Sequence, residues 1–229
     1  MPQPILVFDL DGTLVDTAPD LIDTLNALFR REGIAPVGFA EARRFIGGGA
    51  RMLIERGLGA IGRSVSRDEL DKLYAEYVEA YADRIAELSR PFPGLESALD
   101  RLADDGFRFA VCTNKLERLS VKLLDALDLS PRFEVICGQD TFGIQKPDPR
   151  VLHRTIAAAG GALQGAVMVG DSLTDIATAR AAQVPVIAVD FGYTDTPVHQ
   201  LDPDRVISHF DQLPTTVSDI VQAAPQFSP

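Results

Sequence analysis

Short apolar runs alternate with helical stretches along this chain, and this alternation constrains the fold more than any other feature. Leucines at helical spacing fill the intervals, as at Leu95, Leu99 and Leu102. A weak strand-like run surrounds Val206. The clearer buried strands are predicted at residues 5–9, 109–113, 133–137, 166–170 and 185–190. Since the later intervals have the length of right-handed βαβ crossovers, the pattern predicts an α/β protein with a doubly wound parallel sheet.

The first interval between predicted strands is much longer than the others. Leu21, Leu25 and Leu28 recur there at helical spacing and predict an amphipathic helix. We expect this helix to begin at Thr17, because Asp20 lies three residues later, as in a capping box.

A second, longer amphipathic helix is predicted over residues 70–85, and glycines at 47–49 separate the two helices. Because no strand signal appears between residues 16 and 90, we expect this segment to be an all-helical insertion. The predicted division is therefore a catalytic core of residues 1–15 and 91–229 with a helical segment of residues 16–90.

The charge of the chain bears on its partners. The formal net charge is −11, from 22 basic and 33 acidic residues, which argues against nucleic acid or an anionic membrane as a partner. No apolar run is long enough to cross a bilayer, and the first residues lack the pattern of a signal peptide, so we expect a cytoplasmic protein. Cys112 and Cys137 lie in separate predicted strands and are expected to be reduced packing residues. The sequence makes no prediction about oligomeric state.

Two aspartates one residue apart follow the first predicted strand. Strand alternation would place Asp9 and Asp11 on the same side, where their repulsion destabilises the fold unless a cation lies between them. Gly12 permits a sharp turn, and Thr13 offers a hydroxyl and an N–H group beside the carboxylates. The segment thus suits a divalent metal and a phosphate, with a solvated turn as the alternative.

Polar residues also follow the other predicted strands, at the edge where ligands bind in open α/β sheets. Taken singly, Thr113 could cap a helix, Lys146 could be a solvated loop lysine, and Asp171 could cap the helix after the fourth strand. Asn114 and Asp175 complete the set. Because all of them fall at one edge of one sheet, a functional cluster is the better interpretation.

The chemistry that this set favours is phosphoryl transfer. Asp9 is the predicted nucleophile, and Asp11 is predicted to give a proton to the leaving group and then take one from water. Mg²⁺ would join Asp9 and Asp171, with Asp175 as a further ligand or as a partner of a metal-bound water. The positive charge of Lys146 would stabilise the negative charges of the nucleophile and the phosphate. Hydrogen bonds to the phosphate oxygens are expected from Thr113 and Asn114.

These residues resemble the four motifs of the haloacid dehalogenase-like hydrolase superfamily, in order and at fitting separations: Asp9-Leu10-Asp11-Gly12-Thr13, Thr113, Lys146, and Gly170-Asp171 with Asp175. The resemblance implies a Rossmann-like core, a helical cap inserted after the first motif and an aspartyl-phosphate intermediate. It also implies that the main-chain carbonyl of Asp11 binds the metal. The acid at Asp11 argues against a dehalogenase, which lacks an acid there.

The predicted cap would choose the substrate, a small phosphorylated metabolite. In residues 42–50, Arg44 and Gly48 could bind a substrate carboxylate, or the stretch could be a flexible linker with solvated arginines. This stretch is similar to part of the phosphoglycolate phosphatases, as are residues 91–94 and 113–115, which implies 2-phosphoglycolate as the substrate. Phosphosugar phosphatases, phosphoglucomutases and pyrophosphatases share this cap type and remain open, and a non-catalytic phosphate-binding module is a remote alternative. Lys115 is either a second cation near the substrate or a solvated lysine.

The remaining candidates carry weaker signals. The three histidines, His153, His199 and His209, lack metal-ligand spacing and are expected to be structural or surface residues. A turn is the preferred interpretation of Gly192-Tyr193 over a role at the site entrance, and residues 202–204 are expected to form a surface loop.

Overall fold

The computed structural model of the chain describes residues 3–223. Its eight strands are β1 (Ile5–Phe8), β2 (Val15–Asp16), β3 (Arg90–Pro91), β4 (Arg108–Cys112), β5 (Val135–Cys137), β6 (Ala166–Gly170), β7 (Val186–Val189) and β8 (Arg205–Ile207). Its nine α-helices, over the same residues, are α1 (Ala18–Arg31), α2 (Phe39–Ala42), α3 (Gly49–Ala60), α4 (Arg67–Asp83), α5 (Leu95–Asp104), α6 (Glu117–Ala126), α7 (Pro149–Ala158), α8 (Leu173–Ala181) and α9 (Leu213–Ala223).

Six of these strands form one parallel sheet in the order β5-β4-β1-β6-β7-β8. After β1 the chain builds outward through β4 and β5, and it then returns to the other side of β1 to add β6, β7 and β8. The predicted doubly wound, Rossmann-like sheet is confirmed, including the weak strand at Val206. The winding reverses at β1, so the carboxyl end of β1 is where such a fold binds ligands.

Helices cover both faces of the sheet, as a parallel sheet requires. Leu6 and Phe8 of β1 belong to a large apolar cluster with residues of α5, α6 and α9, whereas Ile5 and Val7 belong to a second cluster with residues of α7 and α8. All four side chains are fully buried. Burying the central strand on both faces stabilises the fold mainly through the hydrophobic effect, and it fixes the position where β1 ends.

The long interval after β1 carries α1, α2, α3 and α4, and α4 packs against both α1 and α3. The expectation that residues 16–90 hold no strand is wrong at both edges. Val15 pairs with Pro91 and Asp16 pairs with Arg90, in a short antiparallel ribbon of β2 and β3. Since each of these strands has two residues, no alternation was available in the sequence to predict them. Because β2 and β3 pair, the chain enters and leaves the helical insertion at adjacent positions.

The start of α1 is where it was predicted, but the capping box is not. The Thr17 hydroxyl donates to Asp11 Oδ1 at 2.8 Å instead of capping the helix. The buried carboxylate of Asp20 instead accepts from the N–H groups of Leu88 and Ser89 and from the Ser89 hydroxyl. Both side chains therefore connect α1 to other parts of the molecule.

Both cysteines are buried and unpaired, as expected. Burial raises the pKa of the Cys112 thiol to about 12. Between residues 3 and 223, no helix combines the length and the apolar character that crossing a membrane requires.

Candidate active site

The turn after β1 brings acidic side chains to the switch point of the sheet. Asp9 continues the ladder, because its N–H group donates to the carbonyl of Val169 at 2.9 Å, and its carboxylate is buried. Gly12 has φ +87°, and a Cβ atom there would lie 2.5 Å from Asp171 Oδ2. The loop after β1 therefore approaches the loop after β6 so closely that only glycine fits at this position.

Three buried carboxylates and one buried lysine form the centre of the site. Ligand oxygens of Asp9, Asp171 and Asp175 all lie within 4.8 Å of one another. Lys146 Nζ lies 2.8 Å from Asp9 Oδ1 and 2.6 Å from Asp175 Oδ1. The structure thus brings together four of the residues that the sequence singled out on separate segments. We refer to them as the acidic centre.

Burial and mutual repulsion disfavour the ionised form of the carboxylates in the acidic centre. Burial raises the pKa of Asp9 to about 6, against the lowering effect of Lys146. Burial, with Asp175 and Asp9 nearby, raises the pKa of Asp171 well above its ordinary value. Burial alone would lower the pKa of Lys146, but Asp175 and Asp9 outweigh it and hold this pKa above its usual range. When all three carboxylates are ionised, one ammonium group leaves an excess of two negative charges, and the raised pKa values reflect the cost of that excess.

A divalent cation fits this set of residues. Asp9 Oδ1 is buried, and its partner is the ammonium group of Lys146 at 2.8 Å. Asp171 accepts from the Tyr193 N–H group at 2.7 Å and from the Thr13 hydroxyl at 3.3 Å. Closely spaced carboxylate oxygens are the ligands that hard cations such as Mg²⁺ prefer. Both oxygens of Asp175 are already engaged, because Oδ1 pairs with Lys146 and Oδ2 accepts from the N–H and hydroxyl groups of Ser172.

These contacts decide between several local alternatives. The N-cap of α8 is Ser172, in a capping box with Asp175, so the alternative that Asp171 caps this helix is wrong. The alternative that Lys146 is a solvated loop lysine is also wrong, because its side chain is 1% exposed. Thr113 is buried rather than a helix cap; its hydroxyl accepts from the Lys115 N–H group.

Asn114 holds the segment that carries Lys146. Its side-chain amide donates to the Lys146 carbonyl at 3.1 Å, and its oxygen accepts from the Lys146 N–H group at 3.0 Å. The same amide nitrogen lies 3.5 Å from the Gly47 carbonyl. Asn114 thus joins the loop after β4 to the loop after β5, and its predicted contact with a phosphate stays a prediction.

The glycine-rich loop before α3 lies over the site. Gly47 and Gly49 have φ values of +111° and +84°, and both line the cleft above the acidic centre. Arg44 is exposed and lines a wider outer groove together with Gly48, at the N-cap of α3. Arg43 is the arginine that is held, because it donates to the Phe191 carbonyl at 3.0 Å and stacks on the ring of Tyr193. The predicted contact of Arg44 with the substrate stays a prediction.

The structure decides between the alternatives left open at Lys115 and overturns the preferred interpretation of Tyr193. Lys115 is not a solvated lysine, because it is buried and its Nζ lies 2.8 Å and 3.0 Å from the two carboxylate oxygens of Asp11. Tyr193 does more than form a turn. Its N–H group binds Asp171, and its hydroxyl donates to Asp16 Oδ1 at 2.6 Å and accepts from the Ala18 N–H group. In the sequence, only its position shortly after a predicted strand indicated that Tyr193 could lie at the site.

A cleft lies between the carboxyl edge of the sheet and the helical insertion. The sheet side contributes polar groups, among them Asp9, Asp11 and Lys115. The insertion contributes mostly apolar and aromatic side chains together with glycines: Leu21, Ile46, Gly47, Gly49, Ala50, Leu53, Tyr77 and Tyr81. A small polar molecule held here would be enclosed by both parts of the chain.

The doubly wound sheet and the aspartates clustered at its switch point define an α/β enzyme. The family model described as haloacid dehalogenase-like hydrolase matches residues 6–189, and the chain belongs to this family. It is 49% identical over 225 residues to a phosphoglycolate phosphatase of Mesorhizobium japonicum, covering 98% of this chain and 99% of that one. It is 44% identical to a phosphoglycolate phosphatase of Caulobacter vibrioides, covering 96% and 93% of the two chains.

A solved structure has the same fold. The crystal structure described as a predicted phosphoglycolate phosphatase from Haemophilus somnus superposes with a TM-score of 0.87 at 26% identity, covering 93% of this chain and 97% of that one. The resemblance inferred from the four motifs is thereby confirmed at the level of family and fold.

Proposed function

We propose that this chain is a Mg²⁺-dependent phosphatase that hydrolyses 2-phosphoglycolate. One observation carries the proposal: the buried carboxylate of Asp9 is ion-paired with Lys146, and Asp11 lies two residues away in the same cleft. This arrangement supplies a nucleophile, a neutralising cation and a proton carrier around one space. The names of the relatives in Mesorhizobium and Caulobacter support the choice of phosphoglycolate.

In the first half of the reaction, an Asp9 carboxylate oxygen attacks the phosphorus atom and the bond from phosphorus to the ester oxygen breaks. Asp11 gives its proton to that oxygen, which leaves as the hydroxyl of glycolate. In the second half, water attacks the phosphorus of the aspartyl phosphate, the bond from phosphorus to Asp9 breaks, and Asp11 takes the proton from water. Lys146 stabilises the charge that develops on the phosphoryl oxygens, and Thr113 can donate a hydrogen bond to them.

Mg²⁺ would be held by Asp9 and Asp171 and by the main-chain carbonyl of Asp11, with Asp175 acting on this site through its contacts with Lys146 and Ser172. When bound, it would neutralise phosphoryl oxygens and offset the excess negative charge of the acidic centre. Lys146, whose backbone is held by Asn114, positions the carboxylates of Asp9 and Asp175.

We propose that residues 16–90 act as a cap over a core formed by residues 1–15 and 91–229. The ribbon of β2 and β3 supports this division, because it brings the two ends of the insertion together. Arg44 and Gly48 lie before α3 within this insertion and line the outer groove, where they would contact the incoming substrate. Asn114 would meet the phosphate from the opposite side.

Phosphate release from 2-phosphoglycolate, glucose 1-phosphate and pyrophosphate, each with and without Mg²⁺, tests the substrate. We expect 2-phosphoglycolate to have the highest kcat/KM and EDTA to abolish turnover. A preferred hexose phosphate would contradict the substrate assignment, and glucose 6-phosphate as product would identify a mutase.

The Asp9→Asn variant tests the mechanism. It keeps the size of the side chain but removes the nucleophile, so we expect turnover to fall by at least about 1000-fold while the fold is retained. Asp190→Asn is the matched control, because this exposed acid follows strand β7 of the same sheet and binds Ser208. Normal activity in Asp9→Asn would overturn the mechanism.

A further inference from the structure

Lys115 is a buried cation that the proposed phosphoryl transfer does not use. Its side chain is 5% exposed, and both oxygens of the Asp11 carboxylate pair with its Nζ, at 2.8 Å and 3.0 Å. The same nitrogen lies 4.5 Å from the centre of the Tyr81 ring, which further stabilises its positive charge. A lysine is rarely buried this deeply unless charged partners hold it.

The charges that line the cleft point to a role for this lysine. Among the described residues that line it, Asp9 and Asp11 are acidic and Lys115 is the basic one. Lys146 is already engaged by Asp9 and Asp175. An ester whose alcohol part also carries a carboxylate would therefore meet unfavourable charge in this cleft unless Lys115 faced it.

Bond geometry places that carboxylate within reach of Lys115. Asp11 must come within hydrogen-bond distance of the ester oxygen in order to protonate it. In 2-phosphoglycolate the carboxylate carbon is two bonds from that oxygen. Lys115 contacts both oxygens of Asp11. It therefore lies next to the position that the substrate carboxylate would occupy.

The present contacts also restrain Asp11. Its Oδ1 accepts from Lys115 and from the Thr17 hydroxyl, and its Oδ2 pairs with Lys115. Each oxygen of Asp11 thus has a protein partner that a substrate must displace or share. A competing carboxylate on Lys115 would free Asp11 to turn toward the ester oxygen.

We propose that Lys115 releases Asp11 and binds the carboxylate of the substrate in its place. Lys115 would then be the residue that selects carboxylate-bearing phosphate esters. The proposal rests on the proposed function, because it assumes that Asp9 and Asp11 act on a phosphate ester in this cleft. Tyr81 supports it independently. Its hydroxyl is buried in the same cleft without a hydrogen-bond partner, and such a group gains stability from an acceptor such as a carboxylate.

The test compares two esters that differ only by the carboxylate, 2-phosphoglycolate and methyl phosphate, in the Mg²⁺-loaded full-length protein. The readout is the ratio of their kcat/KM values, for the unsubstituted chain and for Lys115→Met. Since a hydrogen-bonded charge pair contributes about 1.5–3 kcal/mol, we expect the ratio to fall by about 10- to 160-fold. If the methionine variant does not fold, Lys115→Gln is judged by the same ratio. Lys72→Met is the control, because this lysine is exposed and pairs with Glu76 on the surface of α4.

The ratio separates recognition of the carboxylate from simple positioning of Asp11. If Lys115 only positions Asp11, both esters lose activity together and the ratio keeps its original value, which would overturn the proposal. If the unsubstituted protein already hydrolyses both esters equally well, the assignment of phosphoglycolate as the substrate fails first. If it releases phosphate from neither ester, the proposed phosphatase activity itself fails.

Discussion

Gly12 lets the two halves of the acidic centre approach each other. Its φ of +87° lies in the left-handed region, where any side chain is strained, and a Cβ atom would also collide with Asp171 and Tyr193. Gly33 has a similar φ of +67°, but a Cβ atom there would meet nothing within 4 Å. An alanine at Gly33 would introduce backbone strain alone, whereas an alanine at Gly12 would introduce both strain and a collision with Asp171 and Tyr193.

We predict that Gly33→Ala lowers the free energy of unfolding by about 1 kcal/mol and leaves kcat/KM unchanged. Gly12→Ala should cost more stability and also lower kcat/KM by at least about 10-fold, because Asp171 must move. Denaturant titration and phosphate release measure the two effects. Equal behaviour of the two variants would show that the collision with Asp171 is relieved without displacing it.

Asp171 illustrates a residue that serves function at a cost to stability. Its carboxylate is buried near Asp9 and Asp175, and its pKa is raised well above the ordinary value because burial disfavours the charge. We predict that Asp171→Asn stabilises the metal-free protein by on the order of 1 kcal/mol, a rise in Tm of roughly 2–4 °C. The stabilisation that Mg²⁺ gives to the unsubstituted protein should be lost in the variant.

Differential scanning fluorimetry with EDTA and with Mg²⁺ measures both effects. Asp190→Asn should change Tm little and keep the Mg²⁺ response, since this acid is exposed. A metal-free Asp171→Asn protein that melts below the parent would show that the hydrogen bonds from Tyr193 and Thr13 outweigh the buried charge.

At the scale of elements, Asp20 ties the two ends of the helical insertion together. This acid lies in the first turn of α1, and its Oδ2 accepts from the N–H and hydroxyl groups of Ser89 at 2.8 Å and 2.6 Å. Its Oδ1 accepts from the Leu88 N–H group at 3.0 Å. Ser89 directly precedes β3, so the contact joins the start of the insertion to its end.

We predict that Asp20→Ala lowers the free energy of unfolding by about 3 kcal/mol, because it leaves buried donors without acceptors. Asp23→Ala is the matched control on the same helix, where the side chain is exposed, and it should stay within about 0.5 kcal/mol of the parent. Urea denaturation followed by circular dichroism compares the two. A small effect in Asp20→Ala would mean that water replaces the lost carboxylate.

The elements that the sequence predicted well are those with a repeating pattern. Apolar runs such as that of β6 and leucine spacing such as that of α5 report burial directly, because each face of an element must match its surroundings. The two residues of β2 cannot show alternation. Contacts between distant segments, such as Lys115 with Asp11 or Tyr193 with Asp171, depend on tertiary packing and leave no local pattern. For this reason the motif residues were predicted, whereas the contacts that restrain them were not.

At the scale of the whole molecule, the net charge opposes the proposed substrate. The chain carries 22 basic and 33 acidic residues, and an anionic ester must approach against this field. The attractive groups are Lys115, which lines the cleft, and Lys146, which is buried beside Asp9, and both act over a few ångströms. Exposed charges are screened by salt much more strongly than buried ones. Long-range repulsion and short-range attraction should therefore respond differently to ionic strength.

We predict that kcat/KM for 2-phosphoglycolate rises by about 2- to 5-fold when KCl is increased from about 10 mM to about 150 mM at fixed Mg²⁺. Over this range the screening length falls from about 30 Å to about 8 Å, which removes the repulsion of the surface while leaving ion pairs inside the cleft intact. Methyl phosphate carries less charge and should respond less. Initial rates at low substrate concentration measure the effect. A fall in kcat/KM with salt would mean that basic side chains near the cleft mouth, such as Arg44 and Arg56, attract the substrate before it enters.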